Sequence, residues 1–513
     1  MTLTDFGKRT WLLVGLGVLG AATLGAELVA RRVVDAGFLQ QKLIERLGAE
    51  ELEVSIGSAS FSLLARRVEA RNLVIGRRGR ATFAADRFVA AGLPLLGGGD
   101  GPPEIGELTI ERPLFYHHPD GGSGSNDVGD PVLRLGRLHI EQGTALAWRK
   151  GATHGPSVVL VRHLEVEGND VSFDGAGRST GARSGLEWSA GPIFRVRADG
   201  LTRVSFDSLR ASGADSTFIL WGGRFEPTMP DDMFFDRLED REDRIRAAVS
   251  RIETRGLDFD LWPREGLVAR SIVFDTIAVD VLTNRRIPSG SSDPWLPAQL
   301  ISSFEGRLDI DTIAVRGRIE YRDLPADVAE PGLIAFENLE ARVEGISNAP
   351  DAGPLVIDAR LSVFGAPAET RIEIPLDADR FRMSVRGRVG GFDLVRLNDL
   401  TIPLDGIEIQ DGHLEALRYD VVVDGPAAGG TVWAAYRDLD IQMVDRSTGE
   451  GGLIDDLKSF VANTFALRGE NMPPSGDEGA KPGTVDYAVD PGDPFFTRLW
   501  APIRSGLMAV AKK

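Results

Sequence analysis

The chain contains no cysteine. This excludes disulfides, thiolate zinc sites and cysteine nucleophiles, and it leaves the redox compartment open. Histidine is scarce, at six in 513 residues. The one adjacent pair, His117–His118, lacks a third ligand at metal-binding spacing, so no metal is expected. No H-E-x-x-H, Walker A or G-x-S-x-G segment occurs. The stretch Gly175–Gly181 is glycine-rich, but no helical pattern follows it closely, so it reads as a flexible loop. Asp455–Asp456, near the start of a helical pattern, reads as a favourable dipole contact. Neither an enzyme nor a cofactor-binding protein is expected. Clustered positive charge is also missing. The net charge is −18, with acidic residues along the whole chain, so nucleic acid is excluded as a partner and bulk attraction to anionic headgroups is not expected.

Long apolar runs are nearly absent too, with one exception. Lys8 and Arg9 precede the segment Trp11–Ala26, which continues past Glu27 through Leu28, Val29 and Ala30 to Arg31–Arg32. A spanning helix needs about 20 largely apolar residues. Trp11, Leu12, Leu13, Val14, Leu16, Val18, Leu19, Leu24 and Leu28 give the run that character. The expectation is an uncleaved single anchor within residues 1–35, with a signal peptide as the alternative. Basic residues flank both ends, so they do not settle orientation. Phe38, Leu39, Leu43, Ile44 and Leu47 then follow helical spacing, giving a connecting helix over residues 36–52.

From Glu53 onward the pattern changes period. Val54 and Ile56 alternate with polar neighbours, and the alternation resumes through Val68, Ala70, Leu73 and Ile75 to Gly76. A period of two puts apolar side chains on one face of a strand. A short phrase then recurs: two aliphatic residues one apart, then a glycine or proline. It appears at Leu108 and Ile110, Leu138 and Ile140, Leu164 and Val166, Ile313 and Val315, and Ile407 and Ile409. Ile277 and Val279 share the aliphatic pair without the closing residue. Each phrase predicts a short strand ended by a turn. Residues rich in Gly, Ser, Pro and Asp separate them, and the 60 glycines and 28 prolines fit many turns. The spacing is irregular, so no fixed-period solenoid is expected.

Two departures from the strand pattern stand out. Met233, Phe234, Leu238, Ile245, Val249 and Ile252 predict a helical insertion over about residues 230–253. Residues 441–513 read as an amphipathic-helix region, in which Phe495, Phe496, Leu499, Trp500, Ile503 and Leu507 form a helix that either caps the β body or lies on a membrane surface.

Three pieces of this order resemble the AsmA-like family of Gram-negative envelope proteins, relatives of TamB. The first is the anchor, the helix and Val54-Ser-Ile-Gly-Ser-Ala-Ser-Phe-Ser-Leu-Leu. The second is the central stretch Ile313–Asn348. The third is the C-terminal series Tyr436-Arg-Asp-Leu439, Ser459-Phe-Val-Ala-Asn463 and Phe495-Phe-Thr-Arg-Leu-Trp500. Residues 77–300 match only in style. The resemblance implies a single inner-membrane helix, with residues 53–440 forming an elongated twisted antiparallel β-sheet in the periplasm, folded into an open hydrophobic groove. It also implies a part in phospholipid transfer between inner and outer membranes. On that implication the recurrent aliphatic residues, with Val54 and Ile56, are the acyl-chain contacts, all on one side of the sheet. The partners are phospholipid acyl chains and the inner membrane. The residues themselves leave a second reading open. The same alternation builds a β-sandwich with a dry core, which would suit a non-enzymatic envelope structural factor or outer-membrane assembly factor binding other envelope proteins.

Overall fold

A computed structural model describes residues 36–37, 40–41, 52–62, 64–77, 80–93, 104–117, 131–147, 159–174, 185–197, 200–262, 265–288, 296–376, 380–445, 468–472, 480–490, 492–493 and 495–511. The expected anchor, most of the connecting helix, His118, the Gly175–Gly181 loop and Asp455–Asp456 lie outside them. Strands make up 65% of the described residues and helices 12%, so the chain is mainly β. It divides into two compact units: residues 1–224 with 253–266, and residues 225–252 with 267–513.

The first unit begins with the hairpin β1 (Leu52–Ser62) and β2 (Arg67–Arg77), so Leu52 belongs to a strand and not to the connecting helix. Next come β3 (Arg80–Ala91), β4 (Glu104–Glu111) and β5 (Leu114–His117). They are followed by β6 (Pro131–Ala147) and β7 (Val159–Asp174). The short strands β8 (Leu186–Ala190) and β9 (Ile193–Val196) pair with β7, and then with β11 (Ser208–Ser212) and β10 (Thr202–Phe206) respectively. β11 continues the order to β12 (Thr217–Pro227). Pairing is antiparallel, except that β4 and β5 run parallel to β6. That exception departs from the all-antiparallel expectation. β4 and β5 together form one interrupted strand between β3 and β6.

One apolar cluster gathers side chains from β1 through β8. Leu108, Ile110, Leu133 and Ile140 are 0% exposed within it. Burying such a side chain contributes about 1.5–3 kcal/mol. The opposite face is polar and cross-linked. Arg87 donates from Nε to Glu69 Oε1 at 2.9 Å and from Nη1 to Glu111.

The second unit is a nearest-neighbour meander. β13 (Arg244–Arg255) and β14 (Gly266–Asn284) lead into β15 (Arg307–Leu324), β16 (Gly332–Ser347), β17 (Leu355–Val363), β18 (Ala366–Ile374) and β19 (Arg382–Val389). The two-residue β20 (Phe392–Asp393) precedes β21 (Ile407–Asp424), β22 (Ala427–Met443) and β23 (Pro482–Ala488). From β15 to β23 every pairing is antiparallel. Among the described residues, four α-helices accompany these strands: α1 (Asp231–Phe235), α2 (Pro297–Ser302), α3 (Asn398–Asp405) and α4 (Phe495–Ala511).

Several expectations are corrected here. The helical insertion over residues 230–253 shrinks to the five residues of α1, and Ile245, Val249 and Ile252 belong to strand β13. Ile245 and Val249 fit a helical stripe, but with Ala247 between them they also form a period-two row, and Ile252 falls on the opposite face of the strand. The region from 441 onward is not helical throughout. Residue 440 falls inside β22, and β23 adds a strand before α4.

The recurrent phrase also behaves differently from its prediction. Its closing residue marks a bulge at Gly143, Gly317 and Gly412 and an interruption at Pro113, while Gly168 pairs in register inside β7. Gly143 lies inside the 17-residue β6, Gly317 inside the 18-residue β15 and Gly412 inside the 18-residue β21, and register shifts occur at each. Arg112 and Gln142, one residue before the closing Pro113 and Gly143, take φ of 48° and 53°. Such positions twist a strand without terminating it, and Gly at 317 (φ 151°) meets a conformation other residues resist.

Candidate functional site

The two units treat their apolar faces differently, and the functional candidates divide with them. In the first unit Val54, Ile56, Leu108, Ile110, Leu138, Ile140 and Val166 are all 8% exposed or less. Leu164 sits opposite Gly143 after a register shift and packs half-buried against the same cluster. These positions form a closed core, contrary to their expected place in an open track. They pack one on another and on Phe83, Phe88 and Phe115, with partial exposure at the rim, as at Phe61 and Leu164.

In the second unit Ile277, Val279, Ile313 and Val315 are only half-buried. The ladder places Ile313 beside Val343, which in turn lies beside Ile357; Val315 lies beside Ala341, then Ala359. All of these flanking residues are half-buried as well. Directly paired residues project to the same side of an antiparallel sheet, so they make a continuous apolar band across β15, β16 and β17. Gly317 brings β14 close to this band, since a Cβ there would overlap the Ile277 carbonyl. Thr276 (φ 54°) on β14 and Asn338 (φ 50°) on β16 carry bulge conformations, which coil the sheet around the band.

Helices close both flanks. α4 packs on β21, β22 and β23. Phe495 and Leu499 join the cluster that holds Ile313 and Val343, while Ile503 (5% exposed) and Val510 (0%) enter the cluster of Val421 and Val432. Trp500 and Leu507 are packed there too. The Phe496 ring lies 4.6 Å from that of Tyr321. Of the two expectations for this helix, docking on the sheet is the arrangement observed. Gly483 and Gly506 permit it, because a Cβ on either would overlap the other element. Ile407 and Ile409 belong to this covered part: Ile409 is 7% exposed, and Ile407 packs beside it. On the other flank α2 inserts Ile301 and Ala298 into the cluster of Ile313 and Val343.

One end of the band is polar. Thr283 donates to Asp243 Oδ1 at 2.5 Å and lies 3.0 Å from the Tyr321 hydroxyl. Arg285 grips Asp323 with two donors, Nε to Oδ1 at 2.6 Å and Nη2 to Oδ2. Burial pushes the Asp243 carboxyl above its ordinary value; the Thr283 hydrogen bond opposes this and the charge of Asp323 adds to it. Burial likewise raises the Tyr321 phenol. A second ionic cluster is packed under α1. The fully buried Arg244 donates to Asp280 Oδ1 at 2.7 Å, and Asp280 is shared with Arg322. Among the described residues no group of three or more His, Asp or Glu side chains converges as a metal site.

Sequence reasoning located Ile277, Val279, Ile313 and Val315 but missed α2, Asp243, Thr283 and Tyr321. The α2 signal was present as Pro297 at a helix start followed by Ile301 and Phe304. The polar trio had none, since Asp243 just before β13, Thr283 on β14 and Tyr321 on β15 are far apart in sequence. No described helix is long and apolar enough to cross a membrane. Comparisons with protein-family models, curated proteins and solved structures yield no match.

Proposed function

We propose that this chain is a membrane-anchored, non-enzymatic lipid-binding protein of AsmA-like type. In this reading phospholipid acyl chains lie along the half-buried band of the second unit, and the protein takes part in phospholipid transfer between inner and outer membranes from the periplasmic side. The observation that carries the reading is the partial exposure of Ile313 and Val315 in an apolar band that continues through Val343 and Ala341 to Ile357 and Ala359, with half-buried Ile277 close by on β14. Contiguous apolar surface in water is costly and marks a binding surface. An acyl chain laid there leaves water while its headgroup stays solvated. The run Trp11–Ala30 supplies the anchor. The test is a photocrosslinking residue at Val315 in the full chain, in cells with radiolabelled phospholipid. A lipid adduct at 315 with none at 140 is expected. Absence of adducts at 277, 313 and 315 alike would remove the lipid reading.

The reading as an assembly factor draws on one observation. Among the described residues β1 forms its ladder with β2 and β23 with β22, and the second edge of each is where a partner strand would join. Protein adducts from photocrosslinkers at 55 and 486, without lipid at 315, would favour it.

A further inference from the structure

We infer that the uncharged segment Leu296–Phe304, which carries α2, docks on a bilayer of zwitterionic phospholipid and holds the half-buried band of the second unit against it. The inference rests on the lipid-binding reading and adds the place where lipid enters.

The segment LPAQLISSF has no charged side chain in a chain that is 26% charged. Leu296 (3% exposed) and Ile301 (8%) are buried, whereas Leu300 (47%) on α2 and Phe304 (38%), two residues past its end, are exposed among the uncharged Gln299, Ser302 and Ser303. The exposed side thus carries apolar bulk and no charge, so it can leave water without burying an ion.

The patch is held in place. Asn348 Nδ2 donates to the Gly306 carbonyl at 2.8 Å and to the Phe304 carbonyl at 3.4 Å, and its Oδ1 accepts from Leu308 N at 2.9 Å. The exposure of Phe304 is therefore part of the folded arrangement. Pre-ordered side chains lose less entropy on binding.

Continuity identifies the occupant. Ala298 and Ile301 pack in the cluster that includes Ile313, Val343 and Ile357. A bilayer touching the outer side of α2 thus lies one helix diameter, about 10 Å, from the apolar band. An acyl chain passing around α2 would meet apolar surface on both sides of the step. The apolar run Trp11–Ala30 keeps a bilayer within reach of the chain. The net charge of −18 disfavours an anionic surface, which points to zwitterionic lipid.

The chain lacks cysteine, so a single introduced thiol can be labelled without background. Leu300→Cys, Phe304→Cys and the control Val422→Cys, which is 43% exposed on β21, would each carry an environment-sensitive fluorophore. The labelled full chains would be reconstituted in phosphatidylcholine vesicles. Doxyl-labelled lipid should quench the probes at 300 and 304 several-fold more than the probe at 422, and aqueous iodide should show the reverse order. Iodide quenching equal at all three sites overturns the inference, as does shielding of 300 and 304 from both quenchers, the result expected if protein or a second copy covers them. If the thiol variants fold poorly, the Leu300→Glu/Phe304→Glu pair gives an independent reading. It should lower the lipid adduct at Val315 several-fold, and an unchanged adduct overturns the inference. A normal Val315 adduct with water-exposed α2 would sink only the docking; loss of the adduct in the wild-type chain would sink the lipid reading itself.

Discussion

Leu138 and Ile140 in the first unit and Ile313 and Val315 in the second come from the same short phrase, yet they meet different surroundings. The first pair is at most 1% exposed, in a cluster reaching from β1 to β8. The second pair keeps part of its surface open, in a band sealed only at its flanks by α2 and α4. The alternation that sends a side chain to one face is identical in both. What differs is whether other apolar groups are supplied to cover that face. In the first unit Phe83, Phe88 and Phe115 help to fill the space; in the second, Ile301, Phe495 and Leu499 from two helices join the cluster of Ile313 and Val343 but leave both half-buried. A strand phrase therefore marks a face, and accessibility must be read from the elements laid over it.

The widest gap between the units should appear on introducing charge. Ile140→Asp places an unpaired carboxylate in a sealed core and should cost at least about 4 kcal/mol, enough to unfold the first unit. Val315→Asp, on the open band, should cost about 1–2 kcal/mol because its carboxylate can reach water, while abolishing bound lipid. Limited proteolysis of each full-length variant reads the difference. Equal loss of folding in both would erase the distinction between sealed and open faces.

The next largest effect concerns the helical cover. Gly506→Ala should push α4 off β22, where Val432 leaves no room for a methyl group, at about 1–3 kcal/mol. Thermal unfolding checks this. A variant as stable as the parent would mean that α4 is not held at this point and that the covered part of the second unit is also open.

A pH series sharpens the contrast with a smaller effect. Hydrogen bonding from Arg87 holds Glu69 in the first unit down to about 2, from an ordinary 4.5. Its contribution is present above 4.5 and is lost as pH falls toward that lowered value. Asp243 in the second unit moves the other way. Its contribution is present below the ordinary 3.8 and is lost as pH rises through the raised folded value. Asp243→Asn should therefore stabilise the second unit at neutral pH and leave the acid response of the first unchanged, as separate protease-protection curves for the two units would show. A loss of stability at neutral pH would mean that the ionised carboxylate is favoured there.

The smallest effect is expected on the outward polar faces. Arg388 and Glu369 pair at 2.7 Å with side chains 69% and 45% exposed. Arg388→Ala should change stability by about 0–1 kcal/mol, and less at high salt. A larger loss in thermal unfolding would show that the outward ion pairs, rather than the inner face, hold the second unit together.

The sequence by itself determined that the chain is mainly β and which side chains share a face. Both follow from local geometry, because a strand turns each residue opposite to its neighbour whatever lies above it. It also carried the cap helix, whose stripe from Phe495 to Leu507 is legible at helical spacing. Tertiary structure decided the rest. At Gly143, Gly317 and Gly412 the closing residue looked like a stop and became a bulge, because strand pairing resumes past one irregular residue. Ile245 and Val249 fitted either period until the fold chose the strand. Asp243, Thr283 and Tyr321 meet only because the residue before β13 and the strands β14 and β15 come together. The sealing of Ile140 against the openness of Val315 was written in neither phrase, since burial depends on groups that arrive from elsewhere in the chain.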